Sequence, residues 1–137
     1  ILVTGSNTTE NHPVYSCGIK RSVRNGKAKL VVIEPRKIKL AEMADQWLRP
    51  DPGTDVAWIN GFIHIIIKEN LQNSEFIKAR CDGYDELKKI TEKYTPEYVS
   101  EITGIPADSI IKAARTFAGA KRASIVYCMG ITPNSLY

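Results

Sequence analysis

An α/β fold, three layers deep with a mostly parallel sheet and an inserted helical segment, is what three features of the sequence predict. Short apolar runs at Ile1 to Thr4, Leu30 to Ile33 and Ala123 to Tyr127 read as strands, the first two of them buried. The first two flank a stretch that begins helically at Pro13 and stops at Asn25-Gly26. Between residues 56 and 119 helix-start and helix-stop signals recur without another strand pattern. With 137 residues, 43% hydrophobic and 25% charged, the chain suits one globular domain and excludes disorder and collagen-like repeats. Its 19 Lys and Arg are interleaved with 15 Asp and Glu, so the net charge of +4 implies no nucleic-acid partner.

The elements follow in order. Ile1-Leu2-Val3-Thr4 is a strand stopped by Gly5-Ser6-Asn7. Pro13 suits a first helical position because its missing N–H would be unpaired there, and Val14, Cys17, Gly18, Ile19 and Val23 are expected to face the core. Leu30-Val31-Val32-Ile33 is a strand ending at Glu34-Pro35-Arg36. Strand, crossover helix and strand make a right-handed βαβ unit, a Rossmann-like start that puts both loop ends on one sheet edge. Ile38 to Ala44 reads as a short helix and Gln46 to Arg49 as a short strand, closed by Pro50-Asp51-Pro52-Gly53. Thr54 then caps a helix to about Asn70, with Ala57, Ile59, Ile63, Ile66 and Ile67 on its apolar face and Asp55 in the positive first turn. Helices are expected from Ser74, from Tyr84 to Glu92, from Thr95-Pro96 to Gly104, and from Pro106 to Gly119 with Ile110, Ile111, Ala114 and Phe117 inward. The last strand ends at Cys128-Met129-Gly130. The organisation is therefore a βαβ half at 1–55, a helical segment at 56–119, and a last strand with its exit loop at 120–137.

The apolar run from Trp58 to Ile67 is broken by Asn60 and His64 and falls short of the ~20 residues that span a bilayer. Cys17, Cys81 and Cys128 form no CxxC pair, so they build neither a zinc nor an iron–sulfur site, and they are expected in the core. An odd, sparse cysteine count suits the cytoplasm. The chain opens on a strand without an initiator Met and reads as an excised piece of a longer polypeptide.

In a parallel α/β sheet, ligands sit beyond the carboxyl ends of the strands. There Gly5 allows a sharp turn, Ser6, Asn7, Thr8 and Thr9 supply donors, and the helix after His12-Pro13 aims its positive end at the gap. This suits a phosphate, although it is neither GxGxxG nor a P-loop, and a polar loop that only caps its neighbours fits too. Glu34 stands where such folds place a carboxylate on ribose hydroxyls, and Arg36 could grip a phosphate or form a solvated turn with it. Asp55 either starts a helix or accepts the N1–H and amine of guanine, and both can hold. His12 caps a loop or meets the ligand; His64 packs in its helix or binds a metal; Met129-Gly130 leaves a strand or approaches a ligand. No catalytic constellation can be assembled from two histidines without a carboxylate pair.

Taken together, Thr4-Gly5-Ser6-Asn7-Thr8-Thr9-Glu10-Asn11-His12-Pro13, Glu34-Pro35-Arg36, Pro52-Gly53-Thr54-Asp55, Tyr94-Thr95-Pro96-Glu97 and Met129-Gly130-Ile131-Thr132 resemble the molybdopterin oxidoreductase large-subunit family, nearest its formate dehydrogenase catalytic subunits. The resemblance runs over essentially the whole chain. It implies a central α/β domain holding part of a bis(molybdopterin guanine dinucleotide) cofactor, bis-MGD, with molybdenum or tungsten. By that resemblance Gly5, Ser6, Asn7, Glu10, Asn11 and His12 surround the pyrophosphate and ribose of one dinucleotide. Glu34, Pro35 and Arg36 line its nucleoside, Gly53, Thr54 and Asp55 hold the guanine edge, and Met129 with Gly130 approaches from the last strand. Where the family continues Gln-His, this chain has Pro133-Asn134. The family's cysteine-rich 4Fe-4S segment, its Cys or selenocysteine metal ligand with the adjoining His, and its substrate-facing Arg have no counterpart here, so the fragment is expected to be inactive alone. The resemblance further implies a parent enzyme that oxidises formate to CO2, with the rest of its own polypeptide and an electron-transfer subunit as partners. The rival readings are a nitrate reductase or other molybdopterin enzyme, a domain that has lost its cofactor, a plain NAD-binding Rossmann module, and an interaction module built on the polar helices between Ser74 and Gly119. Those helices read equally as solvated surface.

Overall fold

A computed structural model describes residues 1–131, so Thr132 and the divergent Pro133 to Tyr137 end lie outside the described residues. The order is β1 (Leu2–Thr4), α1 (Thr8–Asn11), α2 (Pro13–Arg24), β2 (Val31–Ile33), β3 (Gln46–Leu48), α3 (Asp55–Lys68), α4 (Ser74–Arg80), α5 (Tyr84–Thr91), α6 (Pro96–Thr103), α7 (Ala107–Ala118) and β4 (Ile125–Tyr127). The four strands form one sheet in the order β3-β2-β1-β4, and every neighbouring pair is parallel. Thr4 is level with Ile33 of β2 on one side and with Tyr127 of β4 on the other.

The strand alternation divides the core into two layers. Leu2, Val31, Ile33 and Leu48 pack with Trp58, Phe62, Ile65, Val99, Ile110 and their neighbours, while Val3 and Val32 pack with Ile19, Leu30, Ile38 and Leu40 on the opposite face. The connection from β1 to β2 steps one way along the sheet and that from β3 to β4 steps back. Right-handed crossovers therefore lie on opposite faces, α2 on one and the α3–α7 group on the other. The expected three-layer α/β fold is the one observed.

Capping chemistry ends the helices where the sequence signals it. The Asn73 side chain accepts from Phe76 N–H at 2.9 Å at the start of α4, Thr95 Oγ1 accepts from Tyr98 N–H at 3.3 Å at the start of α6, and Gly104, at φ +72°, ends α6. The backbone N–H of Glu97 and the Thr95 hydroxyl hold the Glu97 carboxyl below the usual range. Gly61 lets α3 cross α6 closely: a Cβ there would stand 2.8 Å from Cγ2 of fully buried Val99. Gly61→Ala is expected to cost ~1–3 kcal/mol by overpacking, although alanine favours a helix by about 1 kcal/mol. Urea unfolding checks this, and a raised midpoint would refute the packing account.

Several expectations are corrected. The stretch after Gly5 is not all loop, because Asn7 O accepts from Glu10 and Asn11 N–H at 3.0 Å and nucleates α1. On α2, Val14, Cys17 and Gly18 face outward and Ser16 is buried beside Ile19. Cys81 is exposed too and Cys128 only half-buried, so the cysteines are not core residues. On α3 the innermost side chains are Trp58, Phe62 and Ile65 with Ala57, whereas Ile59, Ile63, Ile66 and Ile67 are half-buried. The bulkier aromatics take the sheet-facing side, and α5 and α6 cover part of the isoleucine flank. The short helix at Ile38 to Ala44 is a single 3-10 turn, Ala41–Met43. Thr54 stands at the N-cap of α3, but its hydroxyl donates back to Asp51 O at 2.6 Å and does not cap the helix N–H groups. His64 Nδ1 lies 3.0 Å from Thr91 O and ties α3 to α5, which is a packing role. Among the described residues no helix is long and apolar enough to cross a membrane.

Candidate functional site

Parallel strands bring their four carboxyl-end loops to one edge of the sheet. The chain leaves β1 toward β2 and β3 and returns on its other side at β4. The switch point of the topology therefore lies between β1 and β4, the place where a crevice opens in such sheets.

Two glycines meet there. Gly130 N–H donates to Gly5 O at 3.0 Å. A Cβ on Gly130 would stand 2.7 Å from Gly5 Cα and O, and one on Gly5 would stand 2.7 Å from Ile131 N at a φ of +55°. Gly130 thus packs directly on the Gly5 backbone, while the Met129 side chain is exposed. His12 Nε2 lies 4.0 Å from Cys128 Sγ on the same pair of loops.

Beneath this contact the loop is polar and buried. Ser6 is 2% exposed, with its Oγ 3.1 Å from Thr8 Oγ1, so its hydroxyl braces the loop from inside. Thr4 Oγ1 and Asn7 Oδ1 are buried without a hydrogen-bond partner among the described residues. A buried polar atom left unpaired costs about 1–3 kcal/mol, and donors or acceptors on a bound polar ligand would remove that cost. Glu10, Asn11 and His12 are exposed around the loop, and α2 begins at Pro13 with its positive end beside them.

Glu34 lies one residue beyond the Thr4↔Ile33 pair, at the end of β2. Although only 5% exposed, its carboxylate accepts from Arg36 N–H at 3.3 Å and Arg36 Nε at 3.5 Å. Trp47 Nε1 donates to Glu34 O at 2.8 Å, and Glu34 N–H donates to Leu48 O at 3.1 Å. Glu34 is therefore immobilised while the Arg36 side chain, 74% exposed, reaches solvent past half-buried Pro35. Gly53, Thr54 and Asp55 stand beyond β3 at the opposite end of the strand order, about 14 Å across from β4 by strand spacing. Gly53 takes φ +82°, and Asp55 Oδ1 accepts from Trp58 Nε1 at 3.2 Å, which aims the carboxylate.

The structure thus joins Gly5, His12, Met129 and Gly130, sets Glu34 to Arg36 one strand away, and leaves Gly53 to Asp55 at the far edge. An extended ligand laid across the edge could touch all three groups, whereas a compact one could not. Thr4, Trp47, Trp58 and Cys128 join the site only through the fold. Only Trp58 carried a local signal, its i, i+3 spacing from Asp55 on a helix.

A sequence model of the family described as molybdopterin oxidoreductase matches residues 1–135. The chain belongs to that family. It is similar to the F420-dependent formate dehydrogenase subunit alpha of Methanocaldococcus jannaschii, 50% identical over 96% of this chain and 20% of that protein. To formate dehydrogenase H of Escherichia coli it is 42% identical over 96% of this chain and 18% of that protein. Among solved structures, acetylene hydratase from Pelobacter acetylenicus matches with a TM-score of 0.86 and 39% identity, covering 94% of this chain and 18% of that one. The chain thus spans about a fifth of the length of these relatives. As a molybdopterin oxidoreductase domain it shares its fold with a protein named a hydratase as well as with dehydrogenases, so this segment does not by itself separate their reactions.

Proposed function

We propose that this domain holds one guanine dinucleotide of a bis-MGD cofactor within a formate dehydrogenase. The observation that carries the reading is the run of loops along the carboxyl edge of the sheet. Gly5 and Gly130 meet at the switch point, immobilised Glu34 stands beside them, and Asp55 is braced by Trp58 at the far end. The orphaned Thr4 and Asn7 oxygens support a polar ligand at the first loop. In this reading Asn7, Glu10, Asn11 and His12 surround the pyrophosphate, and Ser6 supports their loop. Glu34, Pro35 and Arg36 hold the ribose side, Gly53, Thr54 and Asp55 hold guanine, and Met129 with Gly130 closes the central crevice.

When bound, the cofactor supplies the two-electron redox chemistry through its molybdenum or tungsten, and this chain supplies position and electrostatics. Formate oxidation, a 4Fe-4S cluster and transfer to a partner subunit belong to the rest of the polypeptide, and the domain alone is inactive. The relatives named formate dehydrogenase support this choice of substrate over nitrate. A plain NAD-binding module is disfavoured by Asn7 and Glu10 at the positions of the later glycines of GxGxxG. No disulfide joins the three cysteines among the described residues, which suits a reducing cytoplasm.

Titration with GDP, ADP and NAD, followed by backbone amide shifts, tests the proposal. GDP is expected to shift Gly5, Asn7, Glu34, Thr54 and Asp55 selectively. Asp55→Ala is expected to weaken GDP by ~1–3 kcal/mol, the loss of a charged hydrogen-bond partner, and Glu34→Ala to weaken it less. Equal GDP affinity in wild type and Asp55→Ala would remove the guanine assignment.

A further inference from the structure

Between the end of β3 at Leu48 and the start of α3 at Asp55 stand Pro50 and Pro52, which have no N–H to give. Thr54 N–H and its hydroxyl both turn back to Asp51 O, at 3.3 and 2.6 Å. With Pro52 second and Gly53 third at φ +82°, residues Asp51 to Thr54 take the form of a type II turn. Asp51 N–H ties this turn to the end of α6, donating to Thr103 O at 2.8 Å. Thr103 closes α6, and the last carbonyls of a helix have no partner inside it. Because Thr103 is fully buried, its carbonyl needs a donor from elsewhere, and Asp51 supplies one. The Thr103 hydroxyl fixes the same spot from the other side: it donates to Val99 O at 2.7 Å and accepts from Ile105 N–H at 3.2 Å. Gly104 sits between them at φ +72°, where a Cβ would stand 3.4 Å from Asp51 Oδ2.

We infer, on the reading that Asp55 holds guanine, that Thr103 is a positioning residue for purine selectivity. Its hydroxyl sets its carbonyl, the carbonyl sets the Asp51 to Thr54 turn, and the turn sets the angle at which Asp55 meets the base. Two hydrogen bonds from guanine N1–H and the exocyclic amine to one carboxylate demand a fixed plane, whereas a single bond tolerates a tilt. Trp58 steadies one oxygen of Asp55, and the turn steadies the backbone that carries it. A displaced turn therefore costs the second hydrogen bond first. Hypoxanthine, which lacks the amine, reports that loss.

Titration calorimetry with GDP, IDP and ADP tests the assignment. Wild type is expected to prefer GDP to IDP about tenfold, one hydrogen bond to a charged group. Thr103→Val keeps the shape, removes both hydroxyl bonds and leaves the buried Ile105 N–H unpaired, so its GDP to IDP ratio is expected to fall to within about twofold of one. Thr103→Ser retains the hydroxyl and is expected to retain the ratio. Ile110→Val removes a methylene from the cluster that holds Val99 and Ile105, outside the turn, and is expected to lower the urea midpoint without moving the ratio. If Thr103→Val does not fold, Gly104→Ala decides, because it strains the same turn at an exposed position and the same loss of ratio is expected. An unchanged ratio in the deciding variant, or an equal loss in Ile110→Val, would overturn the role of Thr103 and leave the guanine reading standing. Equal affinity of wild type for GDP and ADP would remove both.

Discussion

Gly130→Ala is expected to abolish measurable GDP binding while leaving most of the fold in place. Its added methyl would sit 2.7 Å from the Gly5 Cα and carbonyl oxygen, and both neighbours are backbone atoms that no rotamer change can clear. The two loops must separate, which breaks the 3.0 Å Gly130 to Gly5 hydrogen bond and opens the switch point. Loss of that hydrogen bond alone costs about 0.5–1.5 kcal/mol, so the chain should still fold. The effect falls on the site because Asn7 and His12 follow directly from the Gly5 turn. Isothermal titration with GDP, beside a urea unfolding curve, measures both parts. GDP affinity within about twofold of wild type would mean that the glycine contact does not shape the site.

Trp58→Ala is expected to be the most destabilising single change considered, at about 3–5 kcal/mol. Trp58 is 4% exposed and packs edge-on against Phe62, with ring centroids 5.4 Å apart, inside the larger hydrophobic cluster. Out of a total stability of ~5–15 kcal/mol, such a loss leaves little margin. The same indole donates to Asp55 Oδ1 at 3.2 Å, which couples the core to the site. Trp58→Phe separates the two roles: it keeps most of the apolar area but removes the donor. We expect a cost of about 1–2 kcal/mol in urea unfolding and a several-fold weaker GDP interaction. If Trp58→Phe leaves GDP affinity unchanged, the indole does not position Asp55.

Much of this domain was legible locally. Pro13, Pro96 and Pro106 mark helix starts and Gly104 a stop, because a missing N–H or a positive φ restricts where those residues can sit. The runs Leu2-Val3-Thr4 and Val31-Val32-Ile33 are strands for an equally local reason, since apolar residues on both faces require cover from both sides. The positions of Gly5, Glu34, Asp55 and Gly130 at strand ends follow from the same elements.

Which faces turn inward was less legible. The α3 sequence offers apolar residues almost all round, so periodicity could not choose between the Ile63 and Ile66 side and the Trp58 and Phe62 side. Contact with the sheet chose the aromatics. On α2 the small polar Ser16 is buried, and Val14 and Cys17 are exposed, because the helix crosses the sheet beside Ile19 and not along its most apolar stripe.

Local signals in the sequence specify most of the elements, though not α1 or the 3-10 turn at Ala41–Met43, and which loops reach the ligand edge, since backbone sterics and side-chain capping act over a few residues. Strand order was decided only in the tertiary structure. Placing β4 beside β1 puts Gly130 against Gly5 and Tyr127 level with Thr4, and leaves Ile125 and Tyr127 exposed on an edge strand. Each of these pairings joins residues far apart in the chain. Their closeness comes from the summed burial of two hydrophobic layers, which no local pattern encodes.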